Sequence, residues 1–130
     1  MPLTKISINN FRCFKNVDLQ LSPGINFFYG KNGSGKTSIL ESVFIFSSGK
    51  SFKSSNLASL INYENDKFTL KAFDNLKGYV VEIKKSKNKP ISVLLNNKKI
   101  TTSKLIKEFP CTPIHNNTFS FADASPDFRR

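Results

Sequence analysis

Hydrophobic and polar positions alternate from the start of the chain: Ile6 and Ile8 are separated by Lys5, Ser7 and Asn9, which predicts a half-buried strand. After an interruption at Asn10-Phe11-Arg12-Cys13-Phe14, Val17, Leu19 and Leu21 alternate with Asp18 and Gln20 and predict a second strand. Ser22-Pro23-Gly24 is a tight turn into the short, mostly apolar run Ile25-Asn26-Phe27-Phe28-Tyr29, which reads as a buried strand of parallel-sheet type; strands on so tight a turn suggest an antiparallel pair. The period then changes. Ile39, Leu40, Val43 and Phe44 recur at one-face helical spacing, so a helix is expected from Thr37 to about Ser47, closed by Ser48-Gly49, with Glu41 facing solvent. The polar stretch 50–56 is followed by Leu57, Leu60 and Ile61 at helical spacing. Phe68, Leu70 and Ala72, then 79–83 and 91–95, read as short strands joined by turns at Asn75 to Gly78 and at Asn96-Asn97, with a brief return strand starting at Ile100. These make an antiparallel meander over 67–101. Thr102 or Ser103 can cap a last helix carrying Leu105, Ile106 and Phe109, ended by Pro110, and Cys111-Thr112-Pro113-Ile114 is a candidate short strand.

A length of 130 residues fits one domain, and a hydrophobic fraction of 38% with Phe 13 supplies a modest core. No run approaches a membrane span, and Met1 to Ile8 lacks the layout of a secretory signal, so a cytoplasmic protein is expected. Cys13 and Cys111 match neither a redox pair nor a zinc spacing and are expected to be reduced thiols. The net charge of +11 attracts polyanions, although a lysine- and asparagine-rich composition alone also produces it. The basic hairpin Lys84 to Pro90 is open to the same two readings, a solvated loop or a nucleic-acid groove. His115 stands alone, without partners at ligand spacing, and reads as a loop residue.

The sharpest chemical signal is Gly30-Lys31-Asn32-Gly33-Ser34-Gly35-Lys36-Thr37, which fits G-x-x-x-x-G-K-[ST] at every defining position. Its glycines permit the backbone conformations by which successive N–H groups turn inward around a phosphate, beside the positive end of the following helix. In this pattern Lys36 reaches the β- and γ-phosphates of a nucleotide, and Thr37 places its hydroxyl on Mg²⁺. An α/β phosphate-loop NTPase with ATP and Mg²⁺ as cofactors follows. The binding set is Gly30, Lys31, Asn32, Gly33, Ser34, Gly35, Lys36, Thr37 and Ser38, with Thr37 as the metal contact.

With these elements placed, the chain resembles the N-terminal part of the RecF family, the bacterial DNA replication and repair ATPases related to SMC heads. The resemblance is collinear: 8–12 (INNFR), 21–26 (LSPGIN), 30–42 through the loop, 49–54 (GKSFKS) against a family pattern G-R-[SA]-F-R-[ST], and 124–130 (ASPDFRR) against G-S-P-x-x-R-R. All three arginines, Arg12, Arg129 and Arg130, fall where the family pattern also has arginine. It implies lobe I of an ABC-type head over 1–130, with a strand-loop-helix unit at 25–48, the meander at 67–101 and no C-terminal lobe. It also implies that Arg12 lies near the base and phosphates of a bound nucleotide, against the alternative of a surface salt bridge.

By resemblance the function is that of an ATP- and DNA-binding protein of recombinational repair, replication and the SOS response, acting at single-stranded or gapped double-stranded DNA with recombination mediator proteins. The family forms an ATP-dependent homodimer, which this chain alone is not expected to form stably. Departures from the pattern bear on catalysis. Lys50 and Lys53 replace arginines, Ala124 replaces a glycine, and Asn116-Asn117-Thr118 stands where the family has P-E-D. With these carboxylates, the signature motif and the acidic metal-binding strand missing, nucleotide binding with little hydrolysis is expected. The alternatives are a non-enzymatic basic module that binds DNA or a partner and carries a relic phosphate loop, and a degraded gene product without activity.

Overall fold

The computed structural model describes residues 3–114. Six strands form one antiparallel sheet in the order β2-β1-β3-β4-β5-β6: β1 (Lys5–Phe11), β2 (Phe14–Gln20), β3 (Lys67–Asp74), β4 (Tyr79–Ser86), β5 (Ser92–Leu95) and β6 (Lys98–Lys99). The alternation in the sequence fixes which face is buried. Ile6 pairs with Ala72, which pairs with Val81; Ile8 pairs with Leu70, which pairs with Ile83 and then Val93. All seven are buried, so a one-residue slip of any strand would turn its apolar set to solvent. The other face carries Lys5, Ser7, Lys71 and Glu82. Asn96 and Asn97 both have positive φ, 48° and 65°, as a two-residue hairpin between β5 and β6 requires.

Two helices cover the buried face. Helix α1 (Lys36–Ser48) ends at Gly49, whose φ of 67° allows its N–H to close the last turn on the Ile45 carbonyl. Helix α2 (Thr102–Glu108) is capped by Thr101, one residue before the expected position, through a bond from the Lys104 N–H. Ile45 and Phe46 of α1 and Leu105 and Phe109 of α2 join the sheet residues in the core. A 3₁₀ turn at Leu57–Leu60 sets Ile61 in a bridge with Phe11 at the end of β1.

Four sequence expectations are corrected here. Residues 25–29 form no strand: Ile25, Phe27 and Tyr29 are 77%, 83% and 94% exposed. An extended run becomes a strand only against a neighbouring ladder, and among the described residues none lies beside it; β2 pairs with β1 instead. The sheet-facing stripe of α1 is Glu41, Ser42, Ile45 and Phe46, whereas Leu40, from the expected stripe, is 51% exposed. That helix is apolar on both sides, so periodicity alone could not say which side meets the sheet. Residues 111–114 form no strand, and the return strand is β6, just before Ile100.

Candidate functional site

The site is assembled where the β1–β2 turn meets the start of α1. Gly30, Gly33 and Gly35 have φ of 151°, 81° and 94°, the left-handed region that side chains disfavour. Gly35 is also sterically required. A Cβ there would come within 2.4 Å of Cζ of Phe14, which leans on the loop from β2. Gly35 is the N-cap of α1 and supplies no side-chain oxygen, and the first turn contains no acidic residue, so the positive end of the helix faces the loop without compensation.

Around this end lies a concavity of about 340 Å³ lined by Cys13, Asn32, Gly33, Gly35, Lys36, Thr37, Ser38 and Lys53. The Lys36 ammonium arches over the loop, donating to the carbonyls of Gly30 and Lys31 at 2.8 Å each and approaching Ser34 Oγ at 3.5 Å. The backbone of Gly33 and Gly35, two hydroxyls and two lysines, with no carboxylate among the described lining residues, make this a cradle for a phosphate. For a cation the lining supplies the Thr37 and Ser38 hydroxyls. Among the described residues no group of three or more His, Cys, Asp or Glu could hold a metal ion. This donor set suits Mg²⁺ carried by phosphate, which keeps most of its ligands as phosphate oxygens and water.

Arg12 stands at the turn with φ of 54°, its backbone fixed by its N–H on Leu60 O (2.7 Å) and by Asn62 Nδ2 on its carbonyl (2.9 Å). Its guanidinium is engaged by Glu41, Nε to Oε2 and Nη2 to Oε1, both at 2.9 Å. The sequence pattern puts Glu41 in solvent; in the structure its side chain is 1% exposed, and Ser51 Oγ donates to the same carboxylate. A carboxylate on a buried helical stripe needs such partners, because leaving it bare among apolar groups is prohibitive. A signal for it exists: the acid occurs one turn before Ile45, in a chain whose only arginine within residues 3–114 is Arg12. Sequence reasoning also misses Cys13 as part of the lining.

A second cavity, of about 330 Å³, flanks the outer side of α1 between Leu40, Phe44, Phe52 and residues 111–114. Its walls are apolar, so it does not compete for phosphate. Cys13 and Cys111 are free thiols, as expected. Among the described residues no helix is long and apolar enough to cross a membrane. His115, Asn116-Asn117-Thr118, Arg129 and Arg130 lie outside the described residues.

A glycine cradle at the start of a helix, backed by an antiparallel meander, defines the class: a phosphate-loop NTPase fold of the kind found in ABC-type ATPase heads. The chain belongs to the AAA domain family, whose model matches residues 5–124. Within it the relatives are RecF proteins. The chain is 36% identical over 137 aligned residues to the DNA replication and repair protein RecF of Aliivibrio fischeri (strain MJ11), covering 100% of this chain and 37% of that protein. It is 50% identical over 72 residues to RecF of Actinobacillus pleuropneumoniae serotype 5b (strain L20), covering 55% of this chain and 20% of the relative. The chain therefore spans about a fifth to two fifths of the curated relatives it matches. Among solved structures, the recombination mediator protein RecF bound to ATP superposes with a TM-score of 0.85 at 24% identity, over 98% of this chain and 36% of that one. A chain from a study of ATP-driven dimerisation of SMC ATPases gives 0.81 at 20% identity, over 99% of this chain and 95% of that one. At these identities the two structures establish the fold. The curated relatives it matches are DNA replication and repair proteins.

Proposed function

We propose that the chain is the nucleotide-binding N-terminal lobe of a RecF-like protein, binding ATP with Mg²⁺ through residues 30–38 in recombinational repair and replication. The observation that carries this reading is the cradle at the start of α1, free of carboxylates among the described residues, in which Gly33 and Gly35 hold positive φ beside Lys36. In it the Gly33 and Gly35 backbone supplies N–H donors to phosphate oxygens, Ser34 turns its N–H from the Lys31 carbonyl to phosphate, and Lys36 exchanges its two carbonyl partners for phosphate. Thr37 gives its hydroxyl to the metal, and Ser38 adds a second hydroxyl. ATP supplies the triphosphate, and Mg²⁺ neutralises part of its charge. Because no carboxylate among the described residues lines the cradle to orient a water, the chain on its own binds with little turnover. The same reading assigns a cytoplasmic role at single-stranded or gapped DNA, with recombination mediator proteins as partners and ATP-dependent pairing as a property of the complete head.

Calorimetric titration with MgATP tests it. Lys36→Ala is expected to weaken binding about tenfold or more, the equivalent of one charge-assisted hydrogen bond. Undetectable binding by the unmodified chain, or an unchanged affinity in Lys36→Ala, refutes the reading. The loop would then be a relic on a basic binding module.

A further inference from the structure

Two acids are buried outside the phosphate cradle among the described residues, Glu41 and Asp74, and of these Glu41 has contacts that lead to that cradle from two directions. On one side it holds the Arg12 guanidinium through two bonds of 2.9 Å. On the other it takes a bond from Ser51 Oγ, and that same oxygen accepts the N–H groups of Lys53 (2.9 Å) and Ser54 (3.0 Å). Lys53 and Cys13, the neighbour of Arg12, both line the cradle. From one position on α1, a little over one turn past Lys36, a single side chain thus ties the β1–β2 turn and the 51–54 turn to the helix that carries the phosphate loop.

We propose that Glu41 is a positioning residue: it fixes Arg12 and the Lys53 turn as a cationic rim on the phosphate cradle. The proposal rests on the phosphate-binding reading above. The physical basis is that Ser51 can cap its turn with one orientation of its hydroxyl only if its proton has an acceptor, and Glu41 Oε1 is that acceptor. Lysine has a long, mobile side chain, so a site that draws on Lys53 must hold its backbone. Arg12, with two of its N–H groups on Glu41, keeps a planar orientation that a solvated arginine would lose, next to Cys13, which lines the cradle. Glu41 itself does not touch phosphate in this arrangement. Its effect is transmitted through the two residues it holds.

Two measurements on the full chain test this. In the first, amide exchange followed by NMR compares the unmodified chain, Glu41→Gln and Glu41→Ala. Glu41→Ala is expected to speed exchange at Lys53 and Ser54 about tenfold or more, with the β3 amide of Leu70 within about twofold of its original rate. Glu41→Gln, which keeps a carbonyl acceptor for Ser51, is expected to restore protection at Lys53 and Ser54. Unchanged exchange at these amides, or an equal rise at Leu70, overturns the proposal in favour of a purely structural ion pair.

The second is a cycle of tripolyphosphate affinities. Lys53→Met is expected to weaken binding about fivefold in the original background and less than about twofold in Glu41→Ala, since the lysine is then no longer held in place. An equal loss in both backgrounds also overturns the proposal. Insensitivity of tripolyphosphate binding to Lys36→Ala counts against the phosphate-binding reading instead, and the exchange data then decide the role of Glu41 without it.

Discussion

At the scale of single residues, Gly33 and Gly35 make different demands on the chain although both have positive φ. At Gly33 the surroundings are open, with nothing within 4 Å of the place a methyl group would take, so Gly33→Ala costs only its backbone conformation, about 1 kcal/mol. At Gly35 the same conformational term is joined by a collision with the Phe14 ring at 2.4 Å, and the total is expected to approach about 3 kcal/mol. Thermal melting of the two variants measures the difference. Gly35→Ala should melt well below Gly33→Ala, and adding Phe14→Leu should recover part of the loss only in the Gly35→Ala background. Equal melting temperatures would mean that Phe14 does not brace the loop. The loop residues 30–38 are legible in the sequence because their spacing is dictated by phosphate geometry and hardly by the rest of the fold. Glu41 is not legible. Its burial depends on which side of a doubly apolar helix meets the sheet, and on Arg12 and Ser51 arriving from distant parts of the chain.

At the scale of elements, the strands are readable wherever one face of the sheet is buried and the other open. That condition makes a period of two unavoidable over β1, β3 and β4. It fails at residues 25–29, where an apolar run has no ladder among the described residues, and at the outer side of α1, which is apolar without facing the sheet. The open face of the sheet carries a testable electrostatic feature. Glu82 lies between Lys71 and Lys84, paired with Nζ of Lys71 at 3.0 Å and also with Lys84. Partial burial pushes its carboxyl up, but the bonds from Lys84 and Lys71 outweigh this and leave it below its ordinary value of 4.5. A carboxylate depressed in the folded state stabilises the protein fully above its unfolded value, and that contribution is lost as pH falls through the folded value. Glu82→Gln is therefore expected to lower stability at pH 7 by less than about 1 kcal/mol, because the lysines are largely solvated. Between about pH 5 and pH 3 the gap between the two melting curves should close. A gap independent of pH over that range would show that the cluster contributes through packing and not through charge.

At the scale of the whole molecule, the question is where a net charge of +11 acts. Several acids are already paired with lysines: Asp18 with Lys5, Glu64 with Lys15, Asp66 with Lys87, and Glu82 with Lys71 and Lys84. Among the lysines outside these pairs are two groups, Lys31, Lys36 and Lys53 at the phosphate loop, and Lys98, Lys99, Lys104 and Lys107 along β6 and α2. The strand order places β6 four strands from β1, about 20 Å at ordinary strand spacing. That exceeds the screening length of about 8 Å at physiological salt, so the β6 lysines and the lysines of the loop attract polyanions nearly independently. If the chain engages single-stranded DNA as proposed, the β6 and α2 group can hold the backbone while the loop keeps its nucleotide. Its affinity for an oligonucleotide is then expected to fall steeply with salt, and Lys98→Gln with Lys99→Gln should reduce the slope of log K against log salt by about 0.7 for each contact removed. Lys36→Ala and saturating MgATP should change DNA affinity by less than about twofold, since they act beyond the screening length. Displacement of DNA by MgATP, measured by fluorescence anisotropy, would contradict this arrangement: phosphate loop and polyanion surface would then be one site, and the molecule could hold a nucleotide or a strand but not both.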